Sequence, residues 1–271
     1  MSNEIAVEPS KSDVAILVVS CDAYQDLWHP FFYCFFKYWP DCPYPIYLGS
    51  NFTRYPDSRV RPILIGPDVD YTSNLIAMLN HINQQWIILW IEDRVLSAPV
   101  NTTRVANLIR LVQNQQGSYL KLIANHPFAL AADPTQEMGE IPKGTRYRVC
   151  MTVVLWRKEV LLKLLRPGET AWQFERQGSK RSNNLDEKFF CLTWWTRRNP
   201  PISDQHLIIK GRLLRDAHRF LEQEGLLDDL RKRPLQTIAS YWRVKGRLAV
   251  ADLSIQLKEW QLRWHRTLNQ F

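Results

Sequence analysis

The amino-acid sequence predicts an α/β fold in which a mixed, mostly parallel sheet is flanked by helices and followed by a helical C-terminal extension. Short apolar runs bounded by polar residues alternate with amphipathic segments through residue 124, which is the pattern of strands connected by helices. The runs are almost continuously apolar, as expected for strands that are covered on both faces. Beyond Gly211 the pattern is helical and lacks repeats.

The first predicted strand covers VAILVV at residues 14–19 and ends in Ser20-Cys21-Asp22. The aromatic-rich segment that follows predicts a helix, since Pro30 suits a first helical turn and Pro40 a helix end. Along the chain, the further elements are predicted as strands at 45–48 and 62–65, a helix that starts at 70–73, a strand at 86–91, a helix at 102–115 and a strand at 119–124.

The order becomes less regular after residue 124. Residues 127–144 hold three prolines and two glycines and predict a long irregular segment, which is usually functional when it interrupts a compact domain. A strand at 148–156 and a helix at 158–165 are predicted to follow.

Charge and length predict three parts: a disordered N-terminus at 1–12, an α/β domain at 13–215 and a basic helical extension at 216–271. The net charge of +8 is uneven, because residues 210–271 contain 13 basic and 7 acidic residues, whereas residues 1–209 contain 22 and 20. A nucleic-acid-binding domain would spread its positive charge over the body, so we expect no nucleic-acid partner.

The cysteines and the N-terminal residues predict a cytoplasmic protein. The five cysteines are odd in number and lack a C-x-x-C pair, which favours reduced thiols and disfavours a zinc site. The first residues lack the basic and apolar regions of a signal peptide. No window of about 20 residues is apolar enough for a membrane span. We expect a cytoplasmic location, either free or peripheral at the inner face of the cell membrane.

The strand WIILWI at residues 86–91 runs directly into Glu92, Asp93 and Arg94. The carboxyl end of a strand in an open α/β sheet is where ligands bind. A carboxylate there can hold Mg²⁺ or Mn²⁺, which in turn binds a diphosphate, and an arginine can contact phosphate directly. Neighbouring side chains on a strand face opposite ways, so at most one of the two acids binds directly. The alternative is that both acids merely leave the core for water.

Ser20 and Asp22 end the first strand in the same way. At this turn of a nucleotide-binding sheet, Asp22 can accept hydrogen bonds from a base or a ribose. The alternative is a helix N-cap, a position in which Asp is common.

A third candidate is the spacing Glu169-x-x-Trp172-x-x-Glu175, which places an indole between two carboxylates on one side of a helical turn. Sugars bind to such a surface through the ring face and through hydrogen bonds to their hydroxyls. A carboxylate within reach of a hydroxyl can also remove its proton. The alternative is an amphipathic helix with Trp172 in the core and solvated glutamates.

The histidines show no metal-ligand spacing, and the chain has no G-x-S-x-G, P-loop or G-x-G-x-x-G motif. His126, next to the irregular segment, is the one histidine that we predict at a site.

Three segments together resemble bacterial glycosyltransferases of polysaccharide and lipopolysaccharide synthesis with a GT-A type, Rossmann-like nucleotide-sugar-binding fold. The resemblance covers most of residues 13–215 and is strongest in SCD with YWPD, in the strand that ends in ED, and in W-x-F-E after a W-R-K helix start. The segments are SCDAYQDLWHPFFYCFFKYWPDCPYPIYL (20–48), SNLIAMLNHINQQWIILWIEDRVL (73–96) and LWRKEVLLKLLRPGETAWQFE (155–175).

The resemblance implies transfer of a sugar from a nucleotide donor to an acceptor hydroxyl. It places Asp22 in the nucleotide pocket, Asp93 where the metal-binding carboxylate of a D-x-D element stands, and Glu175 near the acceptor. The chain departs from D-x-D, since Glu92-Asp93-Arg94-Val95 has no second aspartate at the expected spacing. Metal dependence is therefore open, and Arg94 is a candidate for part of the charge that a metal supplies elsewhere.

We predict a hexosyltransferase-like enzyme of bacterial surface polysaccharide or glycolipid synthesis, with Mg²⁺ or Mn²⁺ at Asp93 and a glycan or lipid-linked acceptor. The alternative is a non-catalytic nucleotide-sugar or glycan-binding protein, in which the missing aspartate marks lost chemistry. The predicted site residues are Glu175 and Glu169 for catalysis, Ser20, Asp22, Tyr24, Asn74, Glu92, Asp93 and Arg94 for the donor, and Trp172, Trp156 and His126 for the acceptor.

The C-terminal extension mixes cations with tryptophans. This composition suits an anionic membrane surface. The alternative is an ordinary pair of surface helices that packs on the catalytic domain. The residues concerned are Arg231-Lys232-Arg233, Arg243, Lys245 and Arg247, with Trp242, Trp260 and Trp264.

Overall fold

A computed structural model describes residues 13–125, 127–129 and 135–268, with the side chains described through residue 254 and at Leu257. Eight strands form one sheet in the order β3-β2-β1-β4-β8-β6-β9-β7, and two pairs of short strands lie outside it. The strands are β1 Val14–Val19, β2 Ile46–Ser50, β3 Val60–Leu64, β4 Trp86–Ile91, β5 Arg94–Leu96, β6 Gly117–Lys121, β7 Met138–Glu140, β8 Val154–Arg157, β9 Lys188–Leu192, β10 Asp204–His206, β11 Ile208–Ile209 and β12 Arg212–Leu213.

Helices cover both faces of the sheet. Those on one face share a core cluster with the even-numbered residues of β1, and those on the other face share a cluster with its odd-numbered residues. The fold class predicted from the sequence is therefore confirmed. On the first face lie α1 Trp28–Tyr38, α3 Thr102–Asn114 and α6 Arg215–Glu224, and on the second lie α2 Tyr71–Asn80, α4 Lys158–Leu164 and α5 Ala171–Ser182, while α7 Ile238–Leu268 follows α6.

The aromatic-rich segment after β1 is explained by packing. The side chains of Phe31 and Phe35 on α1 approach the ring of Trp90 on β4, with centroid distances of 5.9 Å each. The indole Nε1 of Trp39 donates to Thr102 Oγ1 at the start of α3. These rings fill the space between the sheet and the helices on the first face, so most of the segment is core rather than binding surface.

The strand order reverses between β1 and β4. The chain builds β1, β2 and β3 outward in parallel and then returns to place β4 on the free side of β1, with Val19 paired to Ile91 at their carboxyl ends. Ligands bind at such a reversal in open α/β sheets, because the two connecting loops diverge there and leave a crevice. Ser20–Asp22 and Glu92–Arg94 therefore leave the core side by side.

The sequence located most elements of the first half but fewer of the second. Asp70 caps α2 as predicted, and its Oδ1 accepts from Ser73 N at 2.9 Å. Residues 148–153 were predicted as strand, but the strand begins only at Val154, and Val153 has a left-handed φ of 50°. The segment predicted as irregular contains β7, which pairs antiparallel with β9 at the sheet edge.

Residues beyond 215 contribute to the same core. Leu221 of α6 and Leu230 of a 3₁₀ helix at Leu227–Leu230 are fully buried. The carboxylate of Glu224 accepts from Tyr38 Oη at 2.6 Å and pairs with Lys37 Nζ at 2.6 Å. The helical character predicted for the tail is confirmed, while the domain boundary at 215/216 stays a prediction. Within the described residues, no helix has the length and apolarity needed to cross a membrane.

Candidate functional site

The candidate site lies at the edge of the sheet where β1, β2 and β4 end. We call this edge the rim and define it as residues 20–22 after β1, 50–53 at the end of β2, and 92–94 after β4. Parallel strands bring all three to one edge. The structure thus brings together two of the three segments that the sequence singled out.

Asp22 holds the loop that follows β2. Its Oδ1 accepts from the backbone N–H of Asn51 at 3.1 Å, and its Oδ2 accepts from Thr53 Oγ1 at 2.9 Å and from Phe52 N at 3.2 Å. Asn51 Oδ1 accepts in return from Asp22 N at 3.0 Å. Burial acts to raise the pKa of Asp22, but these hydrogen bonds hold the pKa below its usual value. The carboxylate therefore rigidifies the rim and is ionised at neutral pH.

The other residues predicted to bind the donor are also engaged within the protein. Ser20 Oγ accepts from Trp28 Nε1 at 2.8 Å. Asn74 Nδ2 donates to Asp68 Oδ1 at 2.5 Å, so its amide orders the loop before α2. The ring of Tyr24 lies 5.0 Å from the guanidinium of Arg233, which comes from the C-terminal part of the chain.

Glu92 is buried, in contrast to the expectation that an acid at a strand end simply meets water. Burial raises its pKa to about 8, and the charge of Asp93 adds to the rise, while a hydrogen bond with Ser20 opposes it. At neutral pH the carboxyl is therefore mostly protonated and can donate a hydrogen bond.

Asp93 and Arg94 are held by a second strand that comes from 110 residues further along the chain. β5 pairs antiparallel with β10, so that Arg94 lies opposite His206 and diagonal to Asp204 on the same face. Arg94 Nη1 donates to Asp204 Oδ2 at 2.6 Å, and His206 Nε2 lies 3.1 Å from Asp93 Oδ2. The Arg94, Asp93 and His206 side chains are 22%, 20% and 27% exposed, so a ligand can reach this face.

The residues at the rim do not make a preformed metal site. In the described part of the chain, no three His, Cys, Asp or Glu side chains are arranged to hold a metal ion. Of the two acids after β4, Glu92 is largely protonated at neutral pH and Asp93 is engaged by His206. A divalent cation prefers ionised oxygen ligands, and the metal role of Asp93 stays a prediction.

Glu175 lies at the first turns of α5 and points into the structure. Its Oε1 accepts from Met151 N at 3.1 Å. Burial raises its pKa, while hydrogen bonds from Met151 and Cys150 and the positive charges of Arg94 and Lys121 oppose the rise. A carboxylate whose pKa moves toward neutrality is suited to take and release a proton.

Lys121, Cys150 and Tyr71 complete a polar cluster that the sequence analysis did not predict. Lys121 ends β6 and is fully buried, and burial lowers its pKa to about 8. Its Nζ donates to the carbonyls of Asn125 and Pro127. A lysine inside the strand segment GSYLKLI at residues 117–123 was a signal that could have been recognised, because a fully buried lysine is rare.

Tyr71 and Arg94 carry buried donors without hydrogen-bond partners among the described residues, namely the Tyr71 hydroxyl and Arg94 Nε. Burial raises the pKa of Tyr71 far above its usual value, and the charges of Glu175, Glu92 and Asp93 add to the rise. Because the charges of all three acids raise the pKa of the same hydroxyl, these acids lie near Tyr71 and near one another. We use the term polar cluster for Tyr71, Glu92, Asp93, Arg94, Lys121, Cys150 and Glu175.

The remaining predicted residues lie apart from this cluster or are engaged elsewhere. Glu169 forms a two-bonded ion pair with Arg181, with Nη–Oε distances of 2.8 and 2.6 Å. Trp172 is 66% exposed on α5. Trp156 is fully buried, lies edge-on against Tyr119, and is paired with Ile87 near the amino end of β4, so the structure gives no support to its predicted contact with an acceptor. His126 lies outside the described residues.

Comparisons with known proteins give likenesses in fold and none in sequence. No protein-family profile and no curated protein matches the chain. The structure of S. aureus TarS 1-349 is 9% identical with a TM-score of 0.44, over 66% of this chain and 60% of that one. The same fragment in complex with UDP-GlcNAc is 8% identical with a TM-score of 0.46, over 82% and 68%.

A third similar structure is the mannosyltransferase PcManGT from Pyrobaculum calidifontis in complex with GDP-Man and Mn²⁺. It is 10% identical with a TM-score of 0.49, over 76% of this chain and 61% of that one. All three TM-scores lie below 0.5, so none of these likenesses assigns a function to this chain.

The raised pKa of Glu92 predicts how stability depends on pH. In the unfolded chain Glu92 ionises near its usual value of 4.5, whereas in the folded protein it keeps its proton up to about 8. Stability should therefore fall as the pH rises between these values, by up to ~1.4 kcal/mol per pH unit. Gln resembles the protonated acid and cannot ionise. The free energy of unfolding of Glu92→Gln, relative to that of wild type, should therefore increase by roughly 3 kcal/mol between pH 5 and pH 8.

Urea unfolding at the two pH values measures this gain. Glu159→Gln is the control, because the Glu159 side chain is 63% exposed on α4 and should leave the pH profile as it is. If Glu92→Gln keeps the same pH slope as wild type, Glu92 is ionised in the folded protein.

Proposed function

We propose that this chain is a glycosyltransferase that moves a sugar from a nucleotide-sugar donor to an acceptor hydroxyl. The observation that carries the proposal is the polar cluster, which brings together the acids after β4, the cations Arg94 and Lys121, and the partly buried Glu175. Glycosyl transfer requires hydrogen-bond donors or cations for the departing phosphate, a reacting carbon that is shielded from water, and a base for the attacking hydroxyl.

The donor's diphosphate is assigned to the face of β5 and β10. Arg94 uses one of its five N–H donors on Asp204, and its Nε has no partner among the described residues. Asp204 fixes the guanidinium plane, which lets Arg94 present the remaining N–H groups to phosphate oxygens. The protonated Glu92 is a further neutral donor that does not repel an anion.

Glu175 is assigned as the general base. The acceptor oxygen attacks the anomeric carbon, the bond from that carbon to the diphosphate oxygen breaks, and the hydroxyl proton passes to Glu175 Oε. The nucleoside diphosphate leaves with the bonding electron pair. Burial raises the pKa of Glu175, and the positive charges of Arg94 and Lys121 limit the rise. A base near neutrality is efficient because it both accepts and releases the proton.

The finer parts of the function remain proposals of the same kind. They are a hexosyl donor, a glycan or lipid-linked acceptor, and a place in bacterial surface polysaccharide or glycolipid synthesis. No step is assigned to a metal ion, and Mg²⁺ or Mn²⁺ at Asp93 is part of the proposal. The alternative function, a non-catalytic nucleotide-sugar-binding protein, keeps the β5–β10 face and dispenses with Glu175.

A thermal-shift panel tests the donor assignment. Nucleoside diphosphates and their sugars should raise the melting temperature selectively, since a ligand that binds only the folded state stabilises it. Each ligand is measured with Mn²⁺ and with EDTA, and a shift that persists in EDTA is expected from the rim residues. The absence of a shift with every nucleotide in both conditions would contradict the donor assignment.

Glu175→Gln tests the base. Loss of a general base typically lowers turnover by ~10²-fold or more, while the amide keeps the size and the acceptor oxygen of the side chain. Turnover with the donor found above should fall by that factor and nucleotide binding should stay within twofold. Glu169→Gln is the comparison, since Glu169 is paired with Arg181. Normal turnover in Glu175→Gln would favour the binding-protein alternative.

Tyr71→Phe tests whether the unpartnered hydroxyl serves a ligand. Removing a buried hydroxyl without a partner should not lower stability, because no hydrogen bond is lost. If the hydroxyl donates to the donor substrate, the affinity should fall by about tenfold, as for one hydrogen bond. Tyr119→Phe is the matched control. The Tyr119 hydroxyl is also buried and has no hydrogen-bond partner among the described residues, but the whole side chain is enclosed by the core. Unchanged affinity in Tyr71→Phe removes Tyr71 from the donor site.

A further inference from the structure

The C-terminal helix α7 carries a stripe of exposed apolar side chains. At 3.6 residues per turn, the spacing of these side chains places all of them within one third of the helix circumference. They are 55% to 71% exposed, whereas equivalent residues on α1 and α3 are mostly buried in the core. We call this set the α7 stripe: Ile238, Trp242, Val250, Leu253 and Leu257.

The orientation of the stripe is fixed by contacts on the adjacent side of the helix. Lys245 Nζ pairs with Asp216 at 2.8 Å, and Tyr241 Oη donates to the same carboxylate at 3.4 Å. Two turns further on, Asp252 pairs with Arg197 at 2.9 Å. These residues lie on one side of the helix and tie it to the body, so that the stripe begins next to that side and extends around the exposed side of the helix.

Cations border the stripe on its other side. Arg243 and Arg247 are one turn apart, exposed, and next in order around the helix after the apolar positions. Around the helix, the contacts with the body are therefore followed by the stripe and then by the two arginines. Across residues 238–268 the sequence has six Lys and Arg against two Asp and Glu, and it adds tryptophans at 260 and 264.

We propose that α7 docks on an anionic lipid surface, with the α7 stripe in the headgroup boundary and Arg243 and Arg247 on the lipid phosphates. A helix with an apolar side, a basic flank and tryptophan is suited to that interface. A second copy of the chain is the less suitable occupant, because pairing two helices that each carry an excess of four positive charges brings like charges together. Docking is independent of the proposed sugar transfer.

Sedimentation of the full chain with vesicles tests the proposal. Vesicles of phosphatidylcholine with about one third phosphatidylglycerol are compared with vesicles of phosphatidylcholine alone. The protein should pellet with the first, pellet much less with the second, and be released by salt. Each basic residue near an anionic surface contributes about fivefold, so Arg243→Gln with Arg247→Gln should weaken partition by about thirty-fold.

The apolar stripe is tested by Trp242→Ser with Leu253→Ser, which should weaken partition by tenfold or more. Both side chains are exposed, so folding is preserved, and circular dichroism checks it. The charge control is Arg110→Gln with Lys188→Gln, and the apolar control is Leu111→Ser, all exposed positions outside α7. Neither control should change partition by more than twofold.

Three results would overturn the proposal. The first is wild-type protein that stays in the supernatant at every lipid concentration. The second is equal pelleting with neutral and anionic vesicles, which would leave no role for the arginines. The third is a concentration-dependent dimer in light scattering that Trp242→Ser with Leu253→Ser abolishes, since the stripe would then be covered by a second copy.

Discussion

The side-by-side pairing of β1 and β4 determines where polar side chains can leave the core. Both strands are covered on two faces by helices, so their residues are apolar from end to end, and the first polar side chains appear only where the strands stop. Because the strands are parallel and in register, the two sets of polar residues emerge at one edge. The rim is thus a consequence of core packing, and its chemistry is set by how far each emerging group is desolvated.

Desolvation and hydrogen bonding divide the acids of the rim and of the polar cluster into three roles. Asp22 receives backbone N–H donors and stays ionised, which makes it a structural anchor for the loop after β2. Glu92 remains inside the protein with few donors and keeps its proton at neutral pH. Glu175 lies between these cases, because burial raises its pKa and nearby cations limit the rise. Acids whose environments separate their pKa values in this way can divide donor and acceptor work.

The sequence predicted the fold and the rim because both follow from local pattern. The apolar run at 86–91 located β4, and the acids after it had to lie at its carboxyl end. What the sequence could not predict is pairing between distant segments. His206 and Asp204 meet Asp93 and Arg94 only because β10 returns to β5, and a short strand such as β10 has no periodicity of its own. The burial of Trp156 was also not predictable, because its sequence pattern does not distinguish a core indole from one that binds a sugar.

The state of Glu175 separates catalysis from binding alone. A protein that only holds a nucleotide sugar needs hydrogen-bond donors for phosphates and hydroxyls, and an ionised acid beside the diphosphate would weaken binding by like-charge repulsion. Burying such an acid also costs stability, because the charged form loses its hydration. The cluster nonetheless keeps Glu175 inside, with Met151 N as its backbone partner and Arg94 and Lys121 nearby. A desolvated acid that costs stability fits the proposed transfer step, which needs a base, better than simple retention of the donor.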